Sequence, residues 1–407
     1  MKTTIERLRR LGSGAVLTLV SGVILGCGGG DKNPAAPEPP PDEGQTPVAG
    51  CSDGELEHGA LYRICFPDSW NGDLILYAHG YVEPTSPLAL PDDQVNGQSI
   101  AVTVNGLGYA YATTSYRANG LVVPEATEDL LELETTARRL YRPDPSRTFI
   151  LGVSEGGLVA TLAAERHPQS FEGALAACGP LGSFSRQLDY FDDFRVVFDY
   201  LLPGVIPGSA VDIPASVVAH WDDIYTPAVV AALATHPSAA RELVSITGAA
   251  VASDDVPSIA LTAIAVLWYN VIGSANAQAR LGGQPFDNST RVYSGSSDDV
   301  ALNAGVARFT ADPGTVAQIA QFETTGNLTV PLVTLHTTGD PVVPFEQEAL
   351  YADKVAQAGA TARLSQSGIS RYGHCAFQGS ELLAAFSTLI QKVGPPVAAM
   401  ASASGGG

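Results

Sequence analysis

Basic side chains are scarce in this chain: 22 lysines and arginines stand against 42 aspartates and glutamates, for a formal net charge of −20. A surface this acidic lacks the electrostatic footprint that a phosphate polymer needs, which excludes nucleic acid as a partner and argues against steering toward anionic polymers. Charge of either sign is sparse at 16%, whereas apolar residues make up 45%, enough over this length for one large core with an insertion. No internal repeat is visible, which excludes a solenoid or propeller. The N-terminal apolar run "LGSGAVLTLVSGVILG" is too short to span a bilayer comfortably. Cysteine is limited to five residues.

What is present at the N-terminus is a basic start, "MKTTIERLRR", followed by that short apolar run, the pattern of an export signal over residues 1–26. The next segment, "ILGCGGG", resembles the bacterial lipoprotein processing site. The resemblance implies cleavage before Cys27, lipid on that cysteine, and attachment to a membrane at the periplasmic face or cell surface; without it the protein would be secreted. Residues 27–49 are rich in proline, glycine and charge and read as a tether. The other cysteines, Cys51, Cys65, Cys178 and Cys375, form an even set suited to two disulfides in an oxidising compartment. Four cysteines allow three pairings. Close spacing across the hairpin-like "CSDGELEHGALYRICF" favours Cys51 with Cys65, and elimination then joins Cys178 to Cys375.

Beyond the tether, "GALYRICFP", "GDLILYAHG" and "GYAYATTSYRANG" each read as a strand running into a loop. "PEATEDLLELETTARRLY" has helical spacing, with acids early and arginines late as the helix dipole prefers. "RTFILGVSEGG" is a strand that turns abruptly into the helix "LVATLAAERHP", and "GALAACGPLG" is a further strand. This alternation implies a mostly parallel sheet flanked by helices, an α/β fold. The rhythm stops over residues 183–327, which carry helical patterns such as "VPSIALTAIAVLWYNVIG" and no strand ladder, and read as a helical insertion. It resumes at "LTVPLVTLHTTGDPVVP" and closes with the helix "SELLAAFSTLIQKV". The expected organisation is a catalytic core of residues 50–182 and 328–395, a lid of 183–327 and a flexible tail of 396–407.

The strand-to-helix turn "GVSEGG" holds Ser154 between Gly152 and Gly156. Such a turn strains its central residue, projects the hydroxyl from the sheet edge and sets it at a helix N-terminus, where free N–H groups favour developing negative charge. A serine still needs a base. At this motif the chain resembles the α/β-hydrolase superfamily over roughly residues 50 to 395, because the order nucleophile, acid, histidine recurs as Ser154, Asp340 in "HTTGDPVVP" and His374 in "RYGHCAF".

The resemblance implies an α/β-hydrolase fold and a serine nucleophile, Ser154, with His374 as base and Asp340 orienting it. It further implies an oxyanion hole from the N–H of Tyr81, in "YAHGY", and that of Glu155, with Gly80 in the loop and His79 shaping it. His336, inside an apolar strand, is expected to be a core histidine, and the Glu155 side chain to point away from the base. Tannase- and feruloyl-esterase-like members join the residues beside Ser and His by a disulfide. Here Val153 precedes the serine, so that resemblance is partial, although a Cys178–Cys375 bond would brace the histidine loop.

The implied chemistry is hydrolysis of a small-molecule carboxylic ester through an acyl-enzyme, with no metal, no organic cofactor and no obligate protein partner. The pairs Asp192-Asp193 and Asp298-Asp299 read as solvated surface rather than calcium ligands. The alternatives are a serine aminopeptidase of the proline-iminopeptidase kind and a non-catalytic binding protein on a hydrolase scaffold. The tether is expected to leave no place for an N-terminal propeller. Large apolar side chains of the insertion, among them Phe191, Phe194, Phe198, Trp221, Leu267 and Tyr269, are expected mainly to pack its own core, a minority lining a pocket over Ser154.

Overall fold

The computed structural model describes residues 45–395. The signal over 1–26, Cys27, the tether up to residue 44 and the tail of 396–407 lie outside the described residues. At the near end, Gln45 forms a bridge to Tyr141.

Eight strands form one sheet: β1 (Gly50–Glu55), β2 (Leu61–Phe66), β3 (Asp73–Ala78), β4 (Ala110–Thr114), β5 (Arg147–Val153), β6 (Gly173–Ala177), β7 (Leu332–Gly339) and β8 (Leu364–Tyr372). Their order is β1-β2-β4-β3-β5-β6-β7-β8. β2 pairs antiparallel with both β1 and β4, and every pairing from β4 across to β8 is parallel. A separate ribbon, Gln94–Val95 with Gln98–Ser99, has no counterpart in the sequence reading.

A parallel sheet covered on both faces should be built from apolar runs. "DLILYA" of β3 is buried at every position. Alternation then sends successive residues to opposite faces. Leu74 and Leu76 join the core beneath α2 (Val123–Leu140) and α3 (Glu155–Arg166). Ile75 and Tyr77 join the opposite core, with Val104 of α1 (Ile100–Gly106) and Phe386 and Leu389 of the C-terminal helix (Gly379–Val393). α2 starts with a proline in its first turn and Glu125, and ends with Arg138 and Arg139.

From residue 184 to 322 the chain is helix and turn: α4 (Phe184–Leu201), α5 (Ala215–Ala219), α6 (Thr226–Thr235), α7 (Pro237–Thr247), α8 (Val256–Trp268), α9 (Ala275–Leu281), α10 (Asp299–Gly305) and α11 (Pro313–Ile319). α8 runs through a π-helical turn, Tyr269–Ser274, into α9. These helices enclose their own cluster around Phe194, Phe198, Trp221 and Leu267, and that cluster takes in Val342 and Val343 from the loop after β7. The segment is also hydrogen-bonded to the sheet layer. Tyr190 Oη donates to Pro341 O (2.8 Å), Gln187 Nε2 donates to Val342 O (2.8 Å), and Leu121 N donates to Asn276 Oδ1 (2.7 Å). After β7 the chain forms α12 (Glu346–Gln357), β8 and α13 (Gly379–Val393).

The chain passes from β3 to β4 on one side and then to β5 on the other. The carboxyl ends of β3 and β5 therefore flank a topological switch point, where open α/β sheets place their ligands. Residues 79–81 and Ser154 sit at those ends.

Candidate active site

Ser154 links β5 to α3 with φ 58° and ψ −125°, a conformation that costs a non-glycine residue on the order of 1–3 kcal/mol. The backbone on either side of it is closely packed. A Cβ on Gly152 would lie 1.8 Å from Gly156 O, and one on Gly156 would lie 2.1 Å from Ala78 O, so only glycine lets strand, turn and helix approach this closely. The Ser154 N–H is held by Ala177 O at 2.9 Å, which ties the elbow to β6.

The structure brings together the three residues that the chain order singles out. His374 Nε2 lies 2.8 Å from Ser154 Oγ, and His374 Nδ1 lies 2.7 Å from Asp340 Oδ2. The other Asp340 oxygen accepts the backbone N–H groups of Val342 (2.8 Å) and Val343 (3.0 Å). Burial alone would push the Asp340 carboxyl up, but the charge of His374 and hydrogen bonds from His336 and His374 hold it well below the usual carboxylate range. With Nδ1 donating to a carboxylate, Nε2 is the nitrogen free to accept a proton from Ser154.

The loop carrying His374 is fastened from three sides. Thr337 Oγ1 donates to Gly373 O (2.6 Å), Arg371 Nη1 donates to Ala376 O (2.6 Å), and Cys375 is bonded to Cys178 at the end of β6. Cys178 and Cys375 have φ of 50° and 52°, so left-handed backbone occurs at the elbow and at both ends of this brace. The second disulfide joins Cys51 to Cys65, directly opposite each other in the β1–β2 ladder. Cys178, His374 and Cys375 offer ligand atoms within 4.8 Å of one another. The sulfurs are consumed by their mutual bond and both imidazole nitrogens are engaged, so the group is not a metal ligand set.

At the end of β3, a Cβ on Gly80 would lie 3.1 Å from Ser154 Cβ, which puts the Gly80-Tyr81 backbone alongside Ser154. Glu155 is the first residue of α3, where amides have no intrahelical acceptor. His79 is buried, stacks on Tyr116 at 3.9 Å between ring centroids, and shares a 2.7 Å hydrogen bond between Nδ1 and Gly80 O. Burial lowers its pKa, and this neutral ring braces the loop.

Above Ser154 is a cavity of about 60 Å³. Its floor is Ser154, Tyr81, Glu155 and Pro180; its roof is Phe184, Gln187, Leu188 and Phe191 of α4 with Tyr269 and Ala277. The α4 residues fall at i, i+3, i+4 and i+7, one helical face. That spacing is visible in the sequence, but nothing local says which way the face turns. Of the large insertion residues, Phe191 and Tyr269 line the cavity, stacked on each other at 4.9 Å, while Phe194, Phe198, Trp221 and Leu267 pack the insertion.

The Glu155 carboxyl does point away from the base: its oxygen accepts Val122 N at 3.3 Å, beside the cavity. Burial raises its pKa to about 8. Gln187 uses its amide nitrogen on Val342 O, and its oxygen has no partner among the described residues.

Two sequence readings need correction or extension. Asp192 is not solvated surface but buried, accepting from Asn270 Nδ2 and Ser274 Oγ (each 2.7 Å), while its neighbour Asp193 pairs with Arg291 and Tyr293. Asp298 and Asp299 are spent on helix and turn N–H groups. His336 is a core residue as expected, yet it also reaches Asp340, its Nε2 lying 3.4 Å from Oδ2.

No family model and no curated protein matches this chain. Solved structures do. Feruloyl esterase B from Aspergillus oryzae is 14% identical, with 78% of this chain and 72% of that one covered and a TM-score of 0.44. A proline iminopeptidase from Mycobacterium smegmatis is 11% identical, covering 84% and 99%, with a TM-score of 0.43. An acylaminoacyl peptidase is 11% identical, covering 84% and 41%, with a TM-score of 0.41, so the chain spans about two fifths of that protein's length. Scores and identities this low carry nothing about substrate. The strand order, the antiparallel second strand and the strained β5–α3 turn are what define the architecture: the chain has the α/β-hydrolase fold.

Proposed function

We propose that the protein is an exported serine hydrolase that cleaves carboxylic esters. The observation that carries this reading is the unbroken chain of contacts Ser154 Oγ, His374 Nε2, His374 Nδ1, Asp340 Oδ2, with the serine on a strained elbow. In the reaction, Ser154 Oγ attacks the ester carbonyl as its proton passes to His374 Nε2. Asp340 keeps the imidazole in the right tautomer and stabilises the imidazolium. The N–H groups of Tyr81 and Glu155 receive the tetrahedral oxyanion, a contribution on the order of 3–4 kcal/mol for a single donor in such sites. His374 then protonates the departing alcohol. Water, deprotonated by the same nitrogen, releases the acid from Ser154.

The cavity favours a neutral, short acyl group. Its walls are mostly apolar, and 60 Å³ is room for about four water molecules. On a p-nitrophenyl ester series, kcat/KM should rise over the first few carbons, by about 0.8 kcal/mol for each buried methylene, and then fall once the roof is reached. One observation favours the aminopeptidase alternative: the Glu155 carboxyl lies beside the cavity, where a bound substrate ammonium would displace the proton that burial otherwise keeps on it. Matched aminoacyl amides assayed beside the esters decide between the two. Higher kcat/KM for amides with a free N-terminus, abolished by Glu155→Gln, would replace the esterase reading.

Two disulfides suit an oxidising compartment. Lipid on Cys27 would hold the enzyme at a membrane through the tether. Incorporation of a palmitate analogue that disappears in Cys27→Ser supports the anchor; incorporation that survives the substitution removes it.

A further inference from the structure

Asp340 has a second histidine partner, which lies between two carboxyl groups. His336 is fully buried in β7. Its Nε2 lies 3.0 Å from the carbonyl oxygen of Val343 and 3.4 Å from Asp340 Oδ2. Its Nδ1 lies 3.2 Å from Glu348 Oε1. A carbonyl oxygen can only accept, so Nε2 carries hydrogen. Glu348, on α12, takes donors on its other oxygen from Thr334 Oγ1 (2.5 Å) and Gln366 Nε2 (2.6 Å). With Glu348 as a carboxylate, Nδ1 also faces an acceptor. A neutral imidazole has one donor and one acceptor nitrogen, so it could not satisfy both sides.

We propose that His336 is an imidazolium wedged between Asp340 and Glu348, and that it acts as a positioning residue which fixes the triad acid and tempers its negative charge. Among the described residues, the charged groups facing it are Asp340 from the loop after its own strand and Glu348 from α12. The Asp340 charge also acts on Tyr190 of α4 and Tyr372 of β8, and β8 sets the neutral Gln366 beside Glu348. The Phe345 ring packs perpendicular to it, 5.8 Å away between centroids. Burial alone would lower the His336 pKa, but the hydrogen bonds to Asp340 and Glu348 outweigh it and raise it to about 9.

The consequence for catalysis has a definite sign. With the cation in place, part of the Asp340 charge is neutralised, so His374 gives up its proton at lower pH and is available as a base over a wider range. Removing the cation leaves Asp340 uncompensated and makes His374 hold its proton longer. The acidic limb of the kcat/KM profile should then move to higher pH by about one unit. This inference rests on the triad reading for its kinetic part, but the charge of His336 does not.

Two measurements test it. In ¹⁵N-histidine spectra of the wild-type protein at pH 7.5, the two ring nitrogens of His336, assigned by the signals lost in His336→Gln or, if that variant does not fold, by through-bond correlation, should both show protonated shifts. In Glu348→Gln only one should. A neutral His336 in the wild type overturns the proposal even if Ser154 is the nucleophile. Kinetically, with active sites counted by fluorophosphonate titration, Glu348→Gln should shift the acidic limb upward by less than His336→Gln does, because it removes an anion along with the cation. kcat at pH 7 should fall about tenfold in His336→Gln, with KM changed less than twofold. An acidic limb that does not move in whichever variant folds would contradict the proposed role. Failure of the triad itself would register separately, as reactivity that survives Ser154→Ala.

Discussion

At the elbow the backbone admits one residue type at each flank, since a Cβ on Gly152 or Gly156 would overlap a carbonyl oxygen at 1.8 or 2.1 Å. In the insertion, Phe194, Phe198, Trp221 and Leu267 fill a separate core in which volume and shape, not backbone geometry, constrain the choice. The two regions touch where α4 meets the acid loop, through Tyr190 on Pro341 O and Gln187 on Val342 O. The difference teaches that the position of Ser154 is set by main-chain contacts at the sheet edge, while the shape offered to substrate is set by side chains that a helix can repack. Damage to the first should show in kcat, and damage to the second in stability and substrate preference.

The largest expected effect is on the sheet-edge side. Asp340→Asn keeps an acceptor for the Val342 and Val343 N–H groups but presents His374 with an amide, so kcat should fall about 10⁴-fold in a protein whose circular dichroism is native. A loss below tenfold would mean that the acid has been misassigned. On the insertion side, Phe194→Ala empties a fully buried site and should lower unfolding free energy by about 3–5 kcal/mol in denaturant titration, with kcat changed less than tenfold while the protein is folded. If that variant loses activity as Asp340→Asn does, the two regions are not separable.

A smaller effect sits on the boundary. The Glu155 carboxyl is raised by burial to about 8, so between its ordinary value of 4.5 and about pH 8 the native state keeps a proton that the unfolded chain releases. Stability must therefore fall as pH rises through that window. Glu155→Gln should be near neutral at pH 4.5 and stabilising by a few kcal/mol at pH 8. Equal stability change at the two pH values would show that the native carboxyl is ionised throughout.

Much of this was legible in the sequence because it is local or ordinal. The glycines around Ser154 mark a tight turn within five residues, the apolar strands mark a doubly covered sheet, and Cys51 and Cys65 are close enough in sequence to face each other in a hairpin. The order of Ser154, Asp340 and His374 singles out, without any distance, the three residues that the fold joins by hydrogen bonds. What was not legible depends on tertiary orientation. The stripe Phe184, Gln187, Leu188 and Phe191 has helical spacing, but only packing turns it over Ser154. Asp192 looks like half of a surface pair until Asn270 and Ser274, some eighty residues away, close over it. His336 reads as a core residue because its partner Glu348 lies on a helix whose docking no spacing rule predicts.

The central claim is that Ser154 is the nucleophile, and it is tested most directly by phosphonylation with mass mapping. After reaction of the full-length protein with a fluorophosphonate, one adduct should be found, on the peptide containing "GVSEGG", with its mass on Ser154. It should be absent in Ser154→Ala and strongly slowed in His374→Ala. An adduct on any other residue, or one that persists in Ser154→Ala, would contradict the account.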